Sequence, residues 1–322
     1  MKFMGVLCVF LALTMVFTPL LSLNGEKIFS QSNESQSVLS SKTAKASQSI
    51  SVYHLKTGKV EKMSLYDYTV LSVCAEIPPS FEEQAIMAQA VACRSYALYM
   101  IEKGSFDKAD ISDDYTIHQG YISKDELKKR WGDKFDTYYK RISSSVNKVE
   151  NKAIFCDGEI IQPAFFALCG GKTENASDIF GGDAKYLKSV VSSGDELAED
   201  LTSVVNFSKD EFKSCCENLK DCSLSDDDSQ WIGETKRTQA GAVKEIVIGD
   251  RTYSGSQAQK AFGLKSNNFT AESRDGSFVF TVIGNGHGVG MSQYGADYMA
   301  RQGSSYEEIL KHYYTGVEIV DY

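Results

Sequence analysis

The chain has 322 residues, 42% of them hydrophobic, 24% charged and 11% aromatic, with 25 Gly and 4 Pro. That composition is globular and excludes collagen-like, coiled-coil and disordered chains, while the length allows one large domain or two ordinary ones. Forty-three acidic residues against 34 basic give a net charge of −9. This argues against the basic face of a nucleic-acid binder, so local cations would have to grip any anionic substrate.

Residues 3–23 (FMGVLCVFLALTMVFTPLLSL) carry no charge and are long enough to cross a bilayer as a helix. Lys2 ahead of them places the N-terminus inside and the remainder outside. A cleaved signal peptide is the competing reading. It is disfavoured because no small-residue cleavage pattern follows and the apolar run is long for one. Residues 1–23 are therefore expected to be a membrane anchor. Residues 24–49, polar and Ser-rich, should be a flexible linker, and residues 50–322 an extracytoplasmic folded domain. Of eight cysteines, Cys8 lies in the anchor and leaves an odd number. Cys215, Cys216 and Cys222 lack paired CxxC spacing and a nearby His, so free or partly paired thiols are expected.

From Ile50, alternation around Thr57-Gly58 predicts a strand, a turn and a second strand. Pro78 and Pro79 forbid a helix through that point and extend the residues before them. Ser80 and Glu83 form a capping-box pattern, which predicts a helix from Ser80 to about Glu102, ended by Gly104. Its small residues Ala85, Ala88, Ala92 and Ala97 predict burial. Glu76, ahead of the prolines and among Val73, Ala75 and Ile77, is a candidate general acid, because apolar surroundings raise a carboxyl pKa. Arg94, midway along a buried helix, needs an anionic partner or a substrate group.

Further on, mostly antiparallel strands are expected over about 150–190 and 230–285, with Asp226–Asp228 in a solvated loop. The segment GNGHGVGMSQYGA lacks the spacing of a dinucleotide fingerprint. Its glycines instead let the backbone crowd His287, with Ser292 and Gln293 opening a helix. Ser305 and Glu308 should cap another helix, through Tyr314 and ended by Gly316. The expected class is α+β: a long buried helix packed on mostly antiparallel strands, with an N-terminal transmembrane helix.

Several segments together carry a resemblance. AEIPPSFEEQAIMAQAVACRSYAL, DDYTIHQGYIS, PAFFALCGGKTENASDIFGG, RTQAGAVKEIVIGDRTYSG and GNGHGVGMSQYGADYMARQ stand in the order found in the stage II sporulation protein D family. That family includes the module known as the amidase enhancer. The likeness spans about residues 55–320, with the signature region at about 60–160. It implies a lytic transglycosylase that cuts the β-1,4 bond between N-acetylmuramic acid and N-acetylglucosamine and leaves 1,6-anhydro ends. By the same resemblance Glu76 is the catalytic residue, and Arg94, Lys172, His287, Gln293 and Tyr294 are substrate-binding candidates. For Arg94 a core ion pair, for Lys172 a solvated turn and for His287 a structural role remain the alternatives.

The implied setting is the engulfing septum of a sporulating cell, with the protein a single-pass membrane protein. Its substrate would be glycan strands stripped of stem peptides, and its partners stage II sporulation proteins P and M. Three departures stand out. Some family members bind zinc through a His and two Cys where this chain has Phe106, Ser112 and His118, so no metal and no cofactor is expected. Met87 replaces a Lys, and Phe166–Cys169 replaces a Ser/Thr-rich run. The last two leave room for a non-catalytic glycan-binding module that recruits or stimulates an amidase.

Overall fold

The computed structural model describes residues 48–322 apart from residue 275. The expected anchor and the expected linker up to residue 47 lie outside the described residues. Among those described, no helix is long and apolar enough to cross a membrane.

The chain enters as a hairpin of β1 (Ser49–His54) and β2 (Lys59–Ser64), antiparallel as the alternation predicts. A short strand β3 (Ile111–Ser112) adds in parallel beside β1. Helix α1 (Leu65–Glu76) follows β2 at once, its first turn capped by Ser64, whose Oγ accepts the Asp67 N–H. This helix corrects the expectation of extended chain before the prolines. Only Ile77 is extended (φ −124°, ψ 141°), because the ring of Pro78 excludes a helical residue before it. Glu76 is thus the last residue of α1.

Helix α2 (Glu83–Lys103) begins three residues later than its capping pattern predicts. Residues 78–81 form a tight turn, in which the Phe81 N–H donates to the Pro78 carbonyl at 3.1 Å. The N-terminus is capped from elsewhere: the Glu82 N–H donates to Asp297 Oδ1 at 2.6 Å. At the other end the Gly104 N–H closes on the Met100 carbonyl, as expected. α1 and α2 pack on each other and on the helix Phe135–Asn147. The strand Lys152–Cys156 and the two C-terminal helices Gln293–Arg301 and Tyr306–Tyr313 complete the body core. Ser305 and Glu308 form the predicted capping box. The chain ends in a strand, Glu318–Asp321, antiparallel to Lys152–Cys156.

Residues 202–283 build a second hydrophobic core that the sequence reading does not separate. Phe212, Trp231, Phe262, Phe278 and Phe280 fill it, between two three-stranded antiparallel sheets and two short helices. Most strand pairs are antiparallel; the exceptions are β1 with β3 and Phe165–Phe166 with Met291–Ser292. The class is mixed α+β, with the long buried helix at its centre.

Candidate active site

Glu76 opens onto a cleft of about 370 Å³, within the size range of small-molecule sites. One wall is the end of α1. A second is the loop carrying Asp113, Gly120 and Tyr121, and a third is the pair Phe165–Phe166 with Asn285–His287 opposite. Gly286 is required there: its φ is +110°, and a Cβ would lie 2.6 Å from that of Phe166.

The carboxyl of Glu76 is held on two sides. Its Oε1 accepts the Gly120 N–H at 2.5 Å, and the Gln293 amide also bonds to it. Gln293 Nε2 in turn donates to Gln89 Oε1 at 3.4 Å, and Gln89 Nε2 reaches Cys93 Sγ at 3.3 Å. Behind the carboxyl therefore stands a buried polar chain without a formal charge. Desolvation dominates, and it pushes the pKa of Glu76 up to about 7 against the two hydrogen bonds.

The loop that supplies Gly120 is pinned along its length. Asp113 accepts from the Leu55 N–H at 2.8 Å and pairs with His54 Nδ1 at 2.9 Å. Gln119 donates to the Tyr68 hydroxyl and to the Cys93 carbonyl, both at 3.1 Å. His118 Nδ1 accepts the Ser112 N–H, and its ring meets Phe106 edge to face at 5.2 Å. Phe106, Ser112 and His118, the positions compared above with a zinc site, do converge here. The contact is one of packing and a hydrogen bond, with burial lowering the His118 pKa to about 4. Among the described residues no group of three His, Cys, Asp or Glu is arranged to hold a metal ion.

The other candidates separate. Gln293 lines the cleft. His287 lies at the cleft wall but is 1% exposed, with Nδ1 accepting the Val289 N–H at 3.0 Å. Burial drives its pKa down to about 3, against a bond with the Phe165 backbone, so it is a neutral ring committed to the wall. Tyr294 turns away and packs edge to face on Phe81 at 5.1 Å. Lys172 is in another crevice beside Gly170 and Asn267, with room for about one water (~10 Å³).

Arg94 is not among the residues that line the cleft. Its Nη2 donates to the Tyr322 carbonyl at 2.7 Å and to Gln48 Oε1 at 3.2 Å, joining the two ends of the described chain. Met87 is buried in the body core. Of the Phe166–Cys169 run, Phe166 and Ala167 face the cleft. Cys169 turns inward, its thiol donating to the buried Asp195 carboxylate at 3.0 Å. The sequence reading missed Gly120, Asp113, Tyr121 and Arg130, all in the cleft wall. Only the HQGY segment, already in the family pattern, pointed near them.

The Stage II sporulation protein (SpoIID) family model matches residues 53–155. The stage II sporulation protein D of Bacillus subtilis is 34% identical over 282 residues, covering 86% of this chain and 80% of that protein. The protein of the same name from Bacillus amyloliquefaciens is 34% identical over 275 residues, covering 84% and 78%. The amidase enhancer of B. subtilis is 24% identical over 299 residues, which are 77% of this chain but 39% of that protein. The resemblance in the signature segments is therefore borne out across most of both partners' lengths, and the chain belongs to the stage II sporulation protein D family, a family of sporulation proteins.

Proposed function

We propose that the protein is a lytic transglycosylase acting on peptide-stripped peptidoglycan strands, with Glu76 as its single catalytic carboxyl. The supporting observation is the state of the three cleft carboxyls. Asp113 is committed to His54 and the Leu55 N–H, and Glu126 bonds back to the backbone and hydroxyl of Ser123. Glu76 faces the cleft with no such ionic or capping partner, and burial lifts its pKa to about 7. It suits a residue that must give up a proton and then take one back near neutral pH.

In that mechanism Glu76 protonates the glycosidic oxygen as the C1–O bond breaks toward an oxocarbenium-like centre. The resulting carboxylate removes the proton from the muramic acid 6-hydroxyl, and O6 closes on C1. No water is consumed and Glu76 ends protonated. A second carboxylate at a fixed separation, as ordinary glycosidases need, has no part in it. Gly120 and Gln293 hold the carboxyl throughout, while the partly exposed Tyr121 offers ring surface to the sugars.

The setting belongs to the same proposal: residues 3–23 as a membrane anchor, residues 24–49 as a linker and residues 50–322 as the catalytic domain outside the membrane. The partners would be stage II sporulation proteins P and M at the engulfing septum. The test is incubation of the protein with peptide-free strands and mass spectrometry of the products. Ends about 18 Da lighter than those of hydrolysis, absent with Glu76→Gln, are expected. A second reading, a glycan-binding module that stimulates an amidase, is favoured by the likeness to the amidase enhancer. Intact strands with binding retained would select it.

A further inference from the structure

Among the described residues, the cleft is lined by three acidic side chains and a single cationic one. Glu76, Asp113 and Glu126 line it, His287 is neutral, and the positive charge comes from Arg130. Arg130 stands in the last turn of the helix Lys124–Trp131, whose buried Leu127 and whose Trp131, edge to face with Tyr138 at 5.6 Å, fix it to the body. Four residues earlier on the same helix, Glu126 is spaced to pair with it. That pair does not form, because Glu126 Oε2 is drawn back to Ser123 Oγ at 2.7 Å in the helix's own capping box. Arg130 makes no hydrogen bond or ion pair among the described residues and is exposed. An arginine in an otherwise acidic cleft, kept from its natural partner, offers a planar fork to an incoming carboxylate.

Resting on the transglycosylase reading, we propose that Arg130 reads the free lactyl carboxylate of a muramic acid whose stem peptide has been removed. In an unprocessed strand that carboxyl is an amide. It carries no charge, and it places a peptide where the guanidinium would be. After amide hydrolysis the same atoms form an anion, which among the described residues of this cleft only Arg130 can neutralise. A preference for processed strands would then be a property of one side chain. The reaction that must supply the substrate is hydrolysis of the lactyl–peptide amide.

The test uses the full chain and two strands of equal length, one peptide-free and one with its lactyl carboxyls converted to methylamides. Binding is measured in the Glu76→Gln background, so that it does not depend on turnover, and kcat/KM is measured with Glu76 intact. The expected result is at least about tenfold tighter binding of the free acid, a preference that shrinks with added salt. Arg130→Gln should abolish the preference by weakening the free acid alone, and Arg130→Lys should restore part of it. Unchanged methylamide binding reports that the variant is folded. If Arg130→Gln leaves the ratio intact, or weakens both strands equally, the inference is overturned. If the chain discriminates in binding but cleaves neither strand, the enzyme reading falls while Arg130 keeps its role.

Discussion

Burial that suits Glu76 for giving up a proton also makes its ionised form costly. The pKa is raised from 4.5 to about 7, so the fold prefers the protonated carboxyl. The stability linked to this group is fully present below about pH 4.5 and is lost as pH rises through 7. By then an ionised Glu76 costs on the order of 3 kcal/mol. Glu76→Gln should therefore melt above the wild type at pH 8 and converge with it near pH 5. A variant no more stable at pH 8 would contradict the raised pKa. On the proposed mechanism, cleavage should fall about tenfold per unit above pH 7 as the acid form is lost.

Gly120 permits a second prediction at this scale. A Cβ there would lie 2.6 Å from Glu76 Oε1 and 3.1 Å from its Cδ. The carboxyl end can swing away, so Gly120→Ala should shift the melting temperature little. If Glu76 is the proposed catalytic acid, misplacing it should nevertheless lower kcat by about 10²-fold. An active Ala variant would show that the carboxyl works from another rotamer. Glu76 was legible because its motif sits at one place in the chain. Gly120 and Arg130 were not, since their meaning depends on which residue faces them across the fold.

Among the elements, α1 is the clearest case of what the sequence hides. Leu65, Tyr68, Val70, Leu71, Val73 and Cys74 are buried around its circumference, so no polar stripe marks a helical period. α2 was legible through its small residues and Gly104, but its start was misplaced because its cap comes from Asp297 on another helix. That helix also carries Gln293, so one contact joins the start of α2 to a ligand of the Glu76 carboxyl. Asp297→Ala should cost about 1 kcal/mol, the usual worth of a cap, and lower activity further than that loss explains. Comparing urea midpoints with kcat at one temperature separates the two effects. The two C-terminal helices, by contrast, were written in local capping signals at Ser292 and Ser305.

At the scale of the whole molecule, the sequence reading merged two cores into one domain. Aromatic residues spread over residues 207–280 look like ordinary strand content until the chain brings them together. The lobe they form is joined to the body where the Gly284 N–H meets the Leu201 carbonyl at 2.7 Å. Across the seam, Glu174 accepts from Thr238 Oγ and the Ala242 N–H, each at 2.9 Å. The chain leaves the body at Leu201 and returns at Gly284, so the insertion runs directly into Asn285–His287 of the cleft wall. Phe212 stacks on Phe278 at 4.1 Å and on Trp231 at 5.7 Å. Phe212→Ala should therefore cost about 3–5 kcal/mol, confined to the lobe. Two calorimetric transitions in place of one would check this.

The chain's two tryptophans fall one to each core. Trp231 is 1% exposed and sealed among rings, with its indole N–H on the Ser225 carbonyl, whereas Trp131 is only partly covered and adjoins Arg130. Their emission should differ in colour, blue from the lobe and redder from the cleft-side helix. Replacing either by Phe would leave a single-colour reporter: one for melting of the insertion, the other for occupancy of the cleft.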